Sequence, residues 1–183
     1  MGSALISFTD LAIVNKHYKC DELCDSDRSA KCARNGFPNP NNCSTCVCPG
    51  GYGGQLCEEK PDKCGKILNA TRNWKNMSRA IYNKKEHGDY FKCTNWIKSP
   101  NGTKIQVELL DVSGLRGLYA QGCIIAGIEI KTNKDQRLTG YRFCSEEDVG
   151  TTLESYSNLV PVITYSMHST KFLNVTLRYR YVE

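Results

Sequence analysis

Cysteine is the residue type whose number and spacing could carry chemistry in this sequence. The 183-residue chain contains 11 cysteines, and eight of them lie between Cys20 and Cys64. Cysteines at this density can form disulfides, hold zinc or act as a redox pair. Because 11 is an odd number, at least one thiol has no disulfide partner within the chain.

The zinc and redox alternatives both depend on one pair, Cys43-x-x-Cys46, whose spacing suits two zinc ligands. A structural zinc site needs a second cysteine pair or a histidine pair, and the sequence places neither at a matching distance. A redox pair is expected beside a βαβ unit, and no such pattern surrounds these residues. The spacing therefore favours disulfides and an oxidising, extracellular environment, with zinc binding kept as an alternative.

The other residues that could support catalysis do not form a recognisable set. The chain has three histidines, His17, His87 and His168, and no two of them are four residues apart. The glycines of residues 50–54 lack the Gly-Lys-Ser/Thr end of a phosphate-binding loop, and no Gly-x-Ser-x-Gly sequence occurs. We therefore assign no catalytic, cofactor-binding or metal-binding residue, and we expect the chain by itself not to be an enzyme.

The N-terminal segment has the pattern of a short amphipathic helix over residues 3–19. Ser7 and Asp10 have the spacing of a capping box, and Leu11, Val14 and Tyr18 fall on one helical face. A helix of two or three turns is marginal in water unless this apolar face packs against a partner. The segment is therefore expected to be the end of a larger domain.

Residues 24–57 differ sharply from the rest of the chain in composition. They are rich in Gly, Asn, Pro and Cys and hold almost no aliphatic side chains. Such a segment cannot bury enough apolar surface to fold, so we expect disulfides to hold it together. Residues 58–63, which are charged and contain a proline, are the expected domain boundary.

Beyond Cys64 the sequence is dominated by alternating apolar and polar residues. This alternation predicts strands with one buried and one solvated face, and the apolar positions are Ile105, Val107, Leu109, Ile128, Ile130, Leu173, Val175, Leu177, Tyr179 and Tyr181. The polar positions between them include Glu129, Lys131, Arg178 and Arg180. Several short strands in this length favour a two-sheet β-sandwich and a mainly β fold class.

Charge and hydropathy exclude two classes of partner. The formal net charge is +5, and the basic residues are dispersed, so we expect no nucleic-acid partner. The longest apolar runs are far shorter than the about 20 residues that a membrane-spanning helix needs. Residues 1–6 lack the basic start of a secretion signal, which predicts that the chain is truncated at its N-terminus.

Residues 24–57 resemble an EGF-like module. The resemblance lies in Cys46-Val-Cys48, the Gly51-Tyr52 turn, and the glycines that precede Cys57. It implies a disulfide-linked ribbon with the pairs Cys24–Cys43, Cys32–Cys46 and Cys48–Cys57. Asp21 and Glu22 precede Cys24, as acidic residues do in the calcium-binding subtype, but the Asn and aromatic pattern of that subtype is missing, so we expect no calcium here.

Residues 64–183 resemble a CUB domain. The resemblance lies in the Cys64-Gly65 start, the strand around Trp96, the strand that follows Cys123, and the closing Leu177-Arg-Tyr-Arg-Tyr181 strand. It implies a two-sheet β-sandwich with the disulfides Cys64–Cys93 and Cys123–Cys144. Calcium-binding members of that family have an Asp where this sequence has Ala126, so we expect no calcium in this domain either.

The order of the segments resembles the C-terminal part of a nematode-type astacin zinc metalloprotease. Residues 5–20 are similar to the helix and cysteine that end its catalytic domain. The resemblance implies a catalytic-domain remnant at 1–23, an EGF-like module at 24–60 and a CUB-like domain at 61–183. It also implies that zinc is bound in the parent enzyme, and that Cys20 is unpaired here because its partner lies in the catalytic domain.

Four Asn-x-Ser/Thr sequences are candidate glycosylation sites of a secreted protein, at Asn69, Asn76, Asn101 and Asn174. Asn174 falls on the polar face of its predicted strand. Two aromatic residues, Trp74 and Tyr82, are candidates for a protein-binding patch, with core packing as the alternative.

The expected function is that of a non-catalytic EGF–CUB protein-interaction region of a secreted astacin-family zinc metalloendopeptidase. Its expected partners are extracellular or matrix proteins, protease substrates among them. The alternative is a free-standing secreted adhesion or decoy module. The transcript sequence just upstream of Met1 distinguishes the two, because it encodes either a protease domain or a secretion signal.

Overall fold

The computed structural model describes residues 5–61, 64–81, 90–114, 121–167 and 173–183. Short turns of 3-10 helix lie at Cys20–Leu23, Ala33–Asn35, Gln121–Cys123 and Glu146–Asp148. The longer elements in the described residues are helix α1 (Phe8–His17) and strands β1 (Phe37–Asn39), β2 (Asn42–Val47), β3 (Ile67–Asn69), β4 (Lys75–Ile81), β5 (Phe91–Lys98), β6 (Lys104–Ser113), β7 (Ala126–Ile130), β8 (Tyr141–Phe143), β9 (Thr152–Glu154), β10 (Leu159–Ser166) and β11 (Leu173–Val182).

The chain divides into two compact units. The first unit is Met1–Lys63 together with Asp135–Thr139, and the second is Cys64–Lys134 together with Gly140–Glu183. The N-terminal segment and the cysteine-rich segment, which the sequence separates at residue 23, therefore fall in one unit.

Helix α1 begins with the expected capping box but is shorter than expected. The backbone N–H of Asp10 donates to the Ser7 hydroxyl (3.2 Å), and the Ser7 N–H donates to the Asp10 carboxylate (2.8 Å). These bonds satisfy donors that the first helical turn leaves open. The helix ends at His17 rather than at residue 19, and Lys19 already has a left-handed backbone with φ of 55°.

The rest of the first unit is built on a small antiparallel hairpin. Strands β1 and β2 pair with Phe37 opposite Val47. The ring of Phe8 packs against the ring of Phe37, with centroids 5.4 Å apart. The first turn of α1 is thereby fixed to the hairpin.

The second unit consists of two sheets, and the mainly β fold class is confirmed. One sheet has the strand order β3-β5-β10-β7-β8 and the other has the order β4-β11-β6-β9. Neighbouring strands are antiparallel except for β3 and β5. The core of this unit comes from alternate residues of the strands, and its members include Ile97, Ile105, Val107, Leu109, Ile128, Ile130, Val160, Val162, Leu173, Val175 and Leu177.

The predicted alternation is confirmed for β6 and β11 but is wrong for β7. Glu129 and Lys131, predicted on a solvated face, are only 7% and 2% exposed. The Glu129 carboxylate accepts hydrogen bonds from the Gly140 N–H (2.9 Å) and from Nε of Arg142 (3.0 Å). A charged group is buried at tolerable cost when such partners are supplied, and here they come from residues 11 and 13 positions later in the chain.

Replacing Glu129 by alanine should destabilise the second unit by about 3 kcal/mol, because it removes the ion pair with the half-buried Arg142 and the hydrogen bond from the Gly140 N–H. Urea unfolding followed by tryptophan fluorescence measures this change, since both tryptophans of the chain, Trp74 and Trp96, lie in the second unit.

The matched control is Glu154→Ala, which removes the exposed ion pair with Lys104 (2.9 Å). Its expected cost is below about 1 kcal/mol because solvent screens an exposed pair. Equal losses of unfolding free energy in the two variants would contradict the buried position of Glu129 and its hydrogen bonds.

Candidate functional site

All 11 cysteines lie within the described residues, and ten of them form five disulfides. Cys43 and Cys46 are bonded to different partners, so the structure does not present them together as a zinc-ligand or redox pair. The pairs are those that the family resemblances imply, namely Cys24–Cys43, Cys32–Cys46, Cys48–Cys57, Cys64–Cys93 and Cys123–Cys144.

Cys20 is the one cysteine without a disulfide partner in the chain. It begins the 3-10 turn that directly follows helix α1, and its side chain is partly exposed. Its Sγ atom lies 3.9 Å from the carbonyl oxygen of Tyr18. The Cys20 thiol is therefore accessible from solvent.

The apolar face predicted for α1 is exposed. Leu11, Val14 and Tyr18 are 45%, 54% and 72% exposed, although their spacing puts them on one side of the helix. Phe8, in contrast, is buried and packs against Phe37. The helix therefore packs on its own unit through the side that contains Phe8, Ala12 and Asn15, and the side that contains Leu11, Val14 and Tyr18 remains exposed.

Trp74 lies on the outer face of the four-stranded sheet and is not a member of the core. The guanidinium carbons of Arg178 and Arg180 lie 4.6 and 4.5 Å from the centre of its ring, within the range of a cation–π contact. Glu108 accepts two hydrogen bonds from Arg178 (2.9 and 2.7 Å), and Gln106 accepts one from Arg180 (2.9 Å). The half-buried indole ring is thus held in place by two anchored guanidinium groups.

Of the aromatic residues named as patch candidates, Tyr82 lies outside the described residues. The contacts of Trp74 could not be predicted from the sequence, because its arginine partners are about a hundred residues away in the chain. The alternation of Arg178 and Arg180 with core residues in β11 was the one available hint that two cations share a face.

All four candidate glycosylation sites lie in the described residues. Asn69, Asn76 and Asn101 are exposed, and Asn174 is half-buried. Asn101 lies in a turn, where its side-chain oxygen accepts a hydrogen bond from Asn158 (3.0 Å). Asn76 and Asn174 lie in β4 and β11, which are neighbours in the four-stranded sheet. Glycosylation of these residues stays a prediction.

Tyr52, which the sequence indicates only as a turn residue, is almost completely buried. Its hydroxyl donates to Oε1 of Gln136 (2.8 Å), a residue of the 135–139 segment that belongs to the first unit. Burial raises the pKa of Tyr52 to about 12. Arg34 lies over the ring, 5.4 Å from its centre, so the side chain is fixed from two directions.

Within the described residues, no three His, Cys, Asp or Glu side chains are grouped so that they could hold a metal ion. His17 lies in the last turn of α1, beside the ring of Tyr18, while His87 and His168 lie outside the described residues. None of the helices in the described ranges has the length and apolar character needed to cross a membrane.

The sequence is similar to zinc metalloproteinases of Caenorhabditis elegans. It is 42% identical to zinc metalloproteinase nas-31 over 185 residues, 37% identical to nas-25 over 183 residues, and 32% identical to nas-32 over 188 residues. These matches cover 100%, 98% and 100% of this chain but 29%, 46% and 28% of the relatives. The chain therefore spans less than half the length of these curated relatives. No protein-family model matches it.

Two solved structures are similar to the chain over part of their length. The CUB1-EGF-CUB2 domains of rat MASP-1 are 17% identical, with a TM-score of 0.49, over 85% of this chain and 54% of that chain. The full extracellular region of zebrafish Gpr126/Adgrg6 is 24% identical, with a TM-score of 0.49, over 65% of this chain and 15% of that chain. Both scores lie below 0.5, so neither likeness assigns a function.

Alkylation of the unreduced, denatured chain should modify one cysteine, Cys20, because the other ten are in disulfides. Intact-mass spectrometry should show a single adduct, and peptide mapping should place it at Cys20. In a Cys20→Ser variant the adduct should be lost while the five disulfides remain. Two or more adducts on the unsubstituted 183-residue chain would show that the disulfide pattern is wrong.

Proposed function

We propose that this chain, which is similar over its whole length to nematode zinc metalloproteinases and spans less than half of theirs, is the non-catalytic, protein-binding part of such an enzyme. The sequence contains three histidines and no His-Glu-x-x-His sequence, so the proposal places the zinc chemistry outside these 183 residues. The 183 residues would position that catalytic part relative to its substrates.

The observation that carries this proposal is the pairing of an uncovered helix with an unpaired cysteine. Leu11, Val14 and Tyr18 are exposed on α1, and Cys20 follows directly after the helix. Covering these three half-exposed side chains would contribute on the order of 1 kcal/mol each. A disulfide from Cys20 would then fix the contact. Both features suit a junction with the catalytic domain.

The two disulfide-linked units would supply the binding surface. A rigid module that holds a substrate raises its effective concentration at a linked active site. We expect the binding energy of such a module to act equally on the ground state and the transition state, and binding of this uniform kind lowers KM and leaves kcat unchanged. We propose extracellular or matrix proteins, including the enzyme's substrates, as the partners of these units.

The proposed location is extracellular. Five disulfides in a chain of this size are stable in an oxidising compartment and are rare in the cytosol.

The purified 183-residue chain should have no zinc-dependent proteolytic activity, because it lacks the metal-binding helix. Incubation with casein and added zinc, followed by gel electrophoresis, tests this. An active metalloproteinase of the same family serves as the positive control. Hydrolysis by the chain that a chelator abolishes would contradict the proposal.

In the full-length enzyme, removal of residues 24–183 should raise KM for a folded matrix protein by about tenfold with little change in kcat, as expected for the loss of remote binding energy. The two enzyme forms should be compared on a panel of collagen, laminin and fibronectin. A short peptide that spans only the scissile bond is the matched control, and its kcat/KM should not change.

Equal kinetics of the two enzyme forms on the whole panel would contradict the proposed role. An equal loss on the short peptide would show instead that the segment supports the catalytic fold. A transcript that carries a secretion signal directly before Met1 would favour the free-standing adhesion or decoy module.

A further inference from the structure

Two glycosylation sequences lie side by side in the four-stranded sheet. Residues 76–78 in β4 pair with β11 so that Ser78 is opposite Thr176, the hydroxyl residue of the sequence at 174–176. The Thr176 hydroxyl donates to the Ser78 hydroxyl (3.0 Å). Leu177, the next residue of β11, is buried in the core, so Thr176 and Ser78 point to the outer face.

Asn76 and Asn174 share this outer face. Asn76 is opposite Arg178, and Asn174 is opposite Ala80. The two asparagines are thus four strand positions apart on adjacent strands, a separation of about 14 Å at the usual rise per residue. Asn76 is exposed, and no described contact covers it.

Asn76 differs from the other candidate glycosylation sites in having Trp74 as a neighbour. It precedes Asn76 by two residues, and its contacts with Arg178 and Arg180 place it on the same outer face. Side chains two positions apart on a strand are about 7 Å apart. The first sugar of a glycan on Asn76 is therefore within reach of the indole ring.

We propose that Asn76 carries an N-linked glycan whose first sugar packs against Trp74. In the modification, the side-chain nitrogen of Asn76 forms a bond to C1 of an oligosaccharide carried on a polyprenyl diphosphate. The bond from C1 to the diphosphate oxygen breaks, the nitrogen loses one proton, and the polyprenyl diphosphate leaves. Nothing in the described fold blocks this exposed amide.

The packing follows from the surfaces of the two partners. One face of a pyranose ring presents C–H groups, which make favourable dispersion contacts with a large aromatic surface. Trp74 is already immobilised by Arg178 and Arg180, which are themselves bound to Glu108 and Gln106. The contact therefore costs little additional side-chain entropy.

The other exposed sites do not have this neighbour. The residue two positions before Asn101 is Ser99, and the residue two positions before Asn69 is Ile67. Asn101 is therefore the matched control, because it is also exposed and lies in the same unit. This proposal rests on the proposed function in one respect, namely that the chain passes through the secretory pathway. In the test, an added secretion signal directs the chain into that pathway.

The first measurement is site occupancy. The full chain is secreted from insect cells behind an added secretion signal and is digested to peptides. Enzymatic removal of the glycans in ¹⁸O-labelled water marks each occupied asparagine for mass spectrometry. Asn76 should be occupied in most molecules. An unmodified Asn76 in the secreted protein would overturn the proposal and would leave the proposed binding role untouched.

The second measurement is the contribution of the packed sugar to stability. Glycans on the secreted protein are trimmed to a single sugar, and Tm is measured by calorimetry. Asn76→Gln should lower Tm by about 2–4 °C relative to this protein, whereas Asn101→Gln should change it by less than about 1 °C. In a Trp74→Ala background, Asn76→Gln should have no further effect, because the contact is already lost.

If Trp74→Ala is not secreted, Trp74→Leu takes its place, since it retains an apolar side chain without the flat ring. Equal effects of Asn76→Gln in the presence and absence of Trp74 would refute the packing of the sugar on the indole.

Discussion

The arrangement of the first unit depends on cross-links that replace a hydrophobic core. Residues 24–57 hold few aliphatic side chains, and three disulfides close loops with sequence separations of 19, 14 and 9 residues. Each such cross-link typically contributes about 2–4 kcal/mol, with the entropic origin of that contribution still model-dependent. Because the hairpin is fixed in this way, Phe37 offers a stable surface to Phe8, and α1 projects from the unit with its remaining apolar side chains uncovered.

The second unit folds by a different principle, and this difference explains what the sequence could predict. Alternating residues such as Val107 and Leu177 are buried in the sandwich core, as the period of a strand requires. The capping box at Ser7 was predictable because its partner is three residues away. The burial of Glu129 was not predictable, because its hydrogen-bond donors belong to a later segment. They become neighbours of Glu129 only when β7 and β8 pair. The contact of Trp74 with Arg178 and Arg180 was not predictable either, because these residues are far apart in the sequence and become neighbours only when β4 and β11 pair.

Two surfaces of the chain have opposite character and are proposed to have opposite roles. The exposed side of α1 is apolar and ends beside the unpaired Cys20, which suits a permanent junction with a catalytic domain. The outer face of the four-stranded sheet is polar, contains the ion pairs Arg178–Glu108 and Lys104–Glu154, and carries the candidate glycan site at Asn76. A glycan there would keep that face in solvent, so that the proposed substrate contacts would use other parts of the two units.

We propose that these 183 residues are joined to a metalloproteinase domain through α1 and Cys20. The most direct test is a disulfide map of the native secreted protein, isolated with an antibody raised against this chain. We expect a protein well above 20.5 kDa in which Cys20 is bonded to a cysteine outside these residues. A native protein of about that mass with a free thiol at Cys20 would contradict it.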